Sequence, residues 1–136
     1  MQIAVIEQFV PHFVAEADIL YLGDTAHKDL YSDKQGLERI GISLDLHNKF
    51  PDLVIYDRER EWLFLIEVVT SHGSISPKRM LELEGVFANA KMGKIFVTAF
   101  PDKTTFKKYI TEVAWETEVW IADNPTHMIH FNGDRF

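Results

Sequence analysis

The sequence predicts an α/β fold: a central mixed β-sheet flanked by helices. Three observations carry that expectation. Two apolar runs, 53–56 (Leu-Val-Ile-Tyr) and 62–69 (Trp-Leu-Phe-Leu-Ile-Glu-Val-Val), stand either side of a wholly charged pentapeptide, 57–61, and form a β-hairpin pattern. Further apolar strands follow at 94–99, 118–122 and 127–131. A segment of helical character precedes the first of these and another separates the first from the second. The order from residue 53 is therefore β-β-α-β-α-β-β, and helix crossovers between strands place helices on the faces of a mixed sheet.

The elements are justified in chain order. The first 20 residues carry an apolar helical rhythm (Ile3, Val5, Ile6, Phe9, Val10, Phe13, Val14, Ala17). Pro11 lacks a backbone donor, so a helix broken there, or starting there, is expected. Residues 18–23 form a short strand closed by Gly23. Residues 26–40 mix helix and turn, with Gly36 weakening the middle. The strand 62–69 is apolar on both faces except at Glu67, which puts it inside the sheet. Ser76 is placed to cap a helix and Pro77 occupies its first position, where a missing donor costs nothing. That helix runs through Met80, Leu81, Leu83, Val86 and Phe87. Asp102 caps another, expected to reach Ala114. Trp115 and Trp120 are expected in the core.

A length of 136 residues suits one domain, 1–136, with residues 1–50 as its N-terminal helical and strand extension. The chain has no cysteine, which excludes a disulfide scaffold, a cysteine zinc site, an iron–sulfur cluster and a thiol nucleophile. Its apolar runs are too short to span a bilayer, so a cytoplasmic protein without a membrane partner is expected. The net charge of −7 hides a pattern. Residues 1–75 carry 6 basic and 13 acidic side chains, residues 76–110 carry 7 and 3, and residues 111–136 carry 1 and 5. A basic middle between acidic flanks either presents one positive face or is a solvated helix surface.

Glu67 is the most informative residue. A lone carboxylate in an apolar strand costs several kcal/mol or shifts its pKa. It must pair with a cation, accept from backbone amides or bind a metal. If the two strands pair around the charged turn, Asp52 lies near Glu67 at the same end of the ladder. Together they would offer oxygen ligands to Mg²⁺, which prefers carboxylates and water. The plainer alternative is a capping Asp52 and a salt-bridged Glu67.

Pro51-Asp52, a hairpin and then Glu67-Val68-Val69 resemble the PD-(D/E)XK nuclease motif. More specific are Glu67-Val-Val-Thr-Ser-His-Gly73, Pro77-Lys78-Arg79, Val97-Thr-Ala-Phe100, Ala114-Trp-Glu-Thr-Glu-Val-Trp120 and His127-Met-Ile-His-Phe-Asn-Gly-Asp-Arg-Phe136. These resemble the catalytic C-terminal region of the BsuBI/PstI family of type II restriction endonucleases. The likeness is strong over residues 51–136 and extends back to Gly23-Asp24-Thr25. It implies a PD-(D/E)XK nuclease-like fold and a Mg²⁺-dependent endonuclease acting on double-stranded DNA, in that family at CTGCAG. It also implies an N-terminal recognition region beyond this chain.

The sequence departs from the motif at Val69, where a lysine is expected. Such a lysine positions or helps deprotonate the attacking water and offsets phosphate charge. Lys78 is the first substitute, Lys94 the second, and a site without lysine the third; His72 could also assist the nucleophile. The polar loop from Thr70 into the helix start supplies phosphate donors, so Ser71, Ser76, Lys78 and Arg79 are expected DNA contacts. Glu82 lies four residues after Lys78 and could simply pair with it. Glu38 or Asp24 could add a third carboxylate. His127 and His130, three apart in a strand, should face opposite ways. Lys103, Lys107 and Lys108 make a solvated face that could touch phosphates.

The expected function is thus palindromic cleavage by Asp52, Glu67 and Mg²⁺, with a homodimer matching the two-fold symmetry of the site. The alternatives are a DNA-binding or interaction module that kept the fold and lost the chemistry, and a structure-selective repair nuclease.

Overall fold

The computed structural model describes residues 1–23, 30–69 and 74–133. Among these residues, seven strands form one sheet: β1 (Ala17–Leu22), β2 (Tyr31–Ser32), β3 (Leu53–Asp57), β4 (Trp62–Val68), β5 (Gly93–Phe100), β6 (Glu118–Ile121) and β7 (Met128–His130). Their spatial order is β2-β1-β3-β4-β5-β6-β7. The β4–β5 and β5–β6 pairs are parallel, and the other neighbours are antiparallel. The sheet is mixed, as expected, and its parallel part lies where helices make the crossovers. The helix α4 (Pro77–Val86) joins β4 to β5, and α5 (Lys103–Tyr109) joins β5 to β6.

Strand alternation divides the core between two faces. On one, Val54, Leu63, Leu65 and Phe96 pack against Leu83 and Phe87 of α4 and its C-terminal turn and Leu37 of α3 (Lys34–Arg39). On the other, Leu53, Ile55, Phe64, Ile66, Val97 and Trp120 pack against Val5 and Phe9. A third cluster, Val69, Phe100, Val113, Val119 and Ile121, lies under α5. Between Ile19 and Tyr21 the β1–β3 register shifts, and Leu20 and Tyr21 both join the α4-side cluster.

At Pro11 the alternative of a helix start is met: α2 (Val10–Phe13) holds Pro11 in its first turn and is joined to α1 (Gln2–Ala4) by a π turn, Val5–Phe9. A proline cannot make the ordinary bond to the carbonyl four residues back, and the wider turn ahead of it absorbs the misfit. Three local expectations change. Gly36 does not weaken α3. Asp33 caps that helix by accepting from the Gly36 N–H at 2.9 Å, and a Cβ on residue 36 would stand 2.5 Å from Asp33 Oδ2 and 2.7 Å from Leu20 Cδ2. The helix from Asp102 ends at Tyr109 and gives way to a 3₁₀ turn, Ile110–Glu112. Trp120 is buried, but Trp115 is 74% exposed. It sits in the turn before β6, where Glu116 takes a positive φ of 64°, and its ring lies against Phe131 at 5.8 Å between centroids. No helix among the described residues is long and apolar enough to cross a membrane.

Candidate active site

The hairpin brings its two acids to one end. Leu53 pairs with Ile66 in the antiparallel β3–β4 ladder, so one further step sets Asp52 opposite Glu67. The Val68 N–H donates to Asp52 Oδ2 at 2.7 Å, tying the carboxylate of one strand to the backbone of the other. The Asp52 carbonyl accepts from the Gly23 N–H at 2.9 Å, which anchors the same point to the end of β1. Three chain segments therefore fix the position of Asp52.

Glu67 lies on the α4 side of the sheet, between core positions Leu65 and Val69 of the same strand face. Its Oε1 accepts from Arg79 Nη2 at 2.8 Å and from Arg79 Nε at 3.3 Å. The side chains of the pair are only 24% and 19% exposed. Arg79 also donates to the Phe50 carbonyl at 3.1 Å and to Glu82 Oε1 at 3.1 Å. Burial works against the charged guanidinium, but attraction to Glu67, then Glu82, outweighs it and raises the pKa above the ordinary arginine value. Arg79 stays a cation at any working pH.

Ser76 caps α4 as the sequence predicts, accepting from the Arg79 N–H at 3.2 Å. Its hydroxyl thus sets the helix turn that carries Arg79. A buried threonine completes the support. Thr98 pairs with Glu67 across the parallel ladder, and its Oγ1 accepts from the Ile75 N–H at 3.1 Å. That bond fixes the start of α4 beside the strand that bears the acid. Neither Thr98 nor the Phe50 carbonyl carried a signal in the sequence: one is a polar residue in a strand, the other a backbone atom.

The remaining expected residues fall as follows. Lys78 is exposed in the first turn of α4, and Glu82 pairs with Arg79 rather than with Lys78. Lys94 donates to the Ala90 carbonyl at 2.7 Å at the start of β5, opposite Leu63. It lies four residues from Thr98, about 13 Å along the strand. Glu38 is exposed on α3. Asp24, Ser71 and His72 lie outside the described residues. His127 precedes β7, so strand alternation does not separate it from His130, and both border one cavity of about 410 Å³ with Glu118. Among the described residues no group of three or more histidines and carboxylates is placed to hold a metal.

The whole sequence from residue 1 to 134 matches the BsuBI/PstI restriction endonuclease domain. The chain belongs to this family. The match reaches further toward the N-terminus than the motifs that suggested it. Over 133 residues the chain is 47% identical to the type II restriction enzyme BsuBI of Bacillus subtilis, covering 98% of this chain and 42% of that protein. Over 140 residues it is 31% identical to the type II restriction enzyme AplI of Arthrospira platensis, covering 98% and 43%. The SdaI restriction endonuclease structure superposes with a TM-score of 0.89 at 41% identity, over 97% of this chain and 42% of that one. The chain thus spans about two fifths of the length of the relatives it matches. The superposition shows the α/β restriction endonuclease fold expected from the sequence.

Proposed function

We propose that this chain is the catalytic domain of a type II restriction endonuclease that hydrolyses phosphodiester bonds of double-stranded DNA with Mg²⁺, at the family site CTGCAG. The observation that carries this reading is the register that sets Asp52 opposite Glu67, with Asp52 pinned to the Val68 amide. Two carboxylates from adjacent strands suit Mg²⁺, which takes one or two protein carboxylates and fills its other positions with water and phosphate. Asp52 and Glu67 would hold the ion; when bound, it supplies Lewis acidity and a more acidic water. In the reaction a water oxygen bonds to phosphorus in line, the bond to the leaving oxygen breaks, and the water's proton passes to solvent or a nearby base.

Asp52 and Glu67 sit beside the start of α4, where Ser76 and Lys78, with Ser71 and His72 before them in sequence, are the proposed contacts to DNA phosphates or to the nucleophile. Cleavage of both strands of a palindrome needs two such sites, so the working form is a homodimer in the cytoplasm.

A second reading, a DNA-binding module that retains the fold without the chemistry, draws on one observation. Val69 is fully buried, so the motif position offers no cation. One experiment separates the two. Asp52→Ala and Glu67→Ala should each abolish Mg²⁺-dependent plasmid nicking while circular dichroism shows an intact fold. Asp52→Asn should do the same while keeping an acceptor for the Val68 N–H. Nicking at the wild-type rate by any of these variants rejects the assignment, and an inactive wild-type chain that still binds DNA favours the second reading.

A further inference from the structure

The place where the motif wants a lysine is closed. Val69 has no exposed surface and packs with Phe100, Val113, Val119 and Ile121. Lys94 lies at the far end of β5, and Lys78 is exposed in the first turn of α4. Among the described residues, Arg79 is a cation that does reach Glu67. Its guanidinium spans the site: two of its nitrogens meet Glu67 Oε1, and a third contact joins the Phe50 carbonyl, two residues before Asp52. It links the strand that bears one acid to the segment that leads into the other. Its remaining arm rests on Glu82, half exposed on the same helix.

We propose that Arg79 supplies the positive charge missing at Val69, as a positioning residue that orients Glu67 and competes with the divalent cation for it. The inference rests on the reading of Asp52 and Glu67 as metal ligands. Its physical basis is direct. A guanidinium 2.8 Å from a carboxylate oxygen and a divalent ion bound to the same carboxylate are like charges a few ångströms apart. Such repulsion is worth a large factor in affinity even at the effective dielectric of a protein surface. A bound ion would repel the guanidinium, and Glu82, half exposed on the same helix and already paired with Arg79 Nη1, would retain it. Lysine cannot copy this, because only the planar fork serves Glu67, Glu82 and the Phe50 carbonyl together.

The test is calorimetric titration of the full chain with Mn²⁺ in the absence of DNA, followed by single-turnover cleavage at saturating DNA and Mg²⁺. Arg79→Met should bind Mn²⁺ about tenfold more tightly than wild type, yet cleave roughly a hundredfold more slowly. Arg79→Gln, neutral but still able to donate to Glu67 and Phe50, should show the same rise in affinity, and it decides the matter if the Met variant fails to fold. Arg79→Lys should keep near-wild-type Mn²⁺ affinity and recover part of the rate. A purely structural Arg79 would lower both affinity and rate. Unchanged or weaker Mn²⁺ binding in the neutral variants overturns the proposal. Glu67→Gln serves as the control: loss of Mn²⁺ binding there supports the metal site independently of Arg79, and unchanged binding removes the site on which the proposal stands.

Discussion

In the proposed site, Val69 and Arg79 divide between them the role expected of one motif lysine: the strand position serves packing and the charge comes from the next helix. A lysine restored at position 69 would therefore not repair the motif. Its ammonium would be driven among the apolar side chains of Phe100, Val113, Val119 and Ile121. Burying an unpaired charge ranks among the costliest single changes, so Val69→Lys should destabilise the fold by about 3 kcal/mol or more. Thermal unfolding should show this as a fall in Tm on the order of 10 °C. Cleavage should not rise. A stable Val69→Lys variant that cleaves faster would show that the pocket opens to the site. The need for a partner at Glu67 was legible from the sequence, since a carboxylate in an apolar strand demands one. Which partner was not legible. Arg79 stood among the expected phosphate contacts, and only the turn set by Ser76 and the Thr98–Ile75 bond aims it inward.

At the level of elements, the strands announced themselves through apolar runs and a charged turn, and the register followed from the turn. Asp57 departs from the charged-turn expectation: it is the buried last residue of β3, accepts from the Glu59 and Arg60 amides of the turn, and pairs with Arg60 Nε at 2.8 Å. Weaker elements left less trace. The two-residue β2 is too short for alternation to register, and the 3₁₀ turn at Leu44–Lys49 has no helical period to detect. The π turn before Pro11 leads into α2, whose first turn holds the proline as one of the two expected arrangements. Gly36 reverses a rule that holds for ordinary helices. In a helix, glycine to alanine ordinarily stabilises by up to about 1 kcal/mol. Here an added Cβ would strike Asp33 Oδ2 and Leu20 Cδ2 well inside contact distance, displacing the cap and a core side chain at once. Gly36→Ala should therefore destabilise by about 1–3 kcal/mol in urea unfolding. A stabilised variant would mean that α3 shifts freely and does not brace β1.

On the scale of the whole molecule, the proposed site lies at one end of the sheet. Glu67 lies at the C-terminal end of β4, α4 begins just beyond it, and α5 begins just beyond β5. Sites at the C-terminal ends of parallel strands are the general habit of α/β sheets, because the crossovers leave helix starts there. In the proposed function, a chain of net charge −7 would approach DNA through a local positive region, and residues 76–110 hold 7 of its 14 basic side chains. Lys78 stands in the first turn of α4, whereas Lys91 lies past its far end and donates to the Ala88 carbonyl. Phosphate contacts release counterions, so each one lost lowers the slope of log affinity against log salt by about one. Lys78→Ala should lose about one unit of slope with no change in sequence preference, since such contacts position rather than specify. Lys91→Ala should lose none. At saturating DNA the Lys78 variant should cleave at the wild-type rate, because its charge serves binding, while Arg79→Met should stay slow. Fluorescence anisotropy across a salt series and single-turnover kinetics measure the two quantities. A rate deficit in Lys78→Ala that saturating DNA does not repair would place the missing lysine at Lys78 after all. Equal slopes in wild type, Lys78→Ala and Lys91→Ala would instead move the DNA path to the Lys103–Lys108 helix.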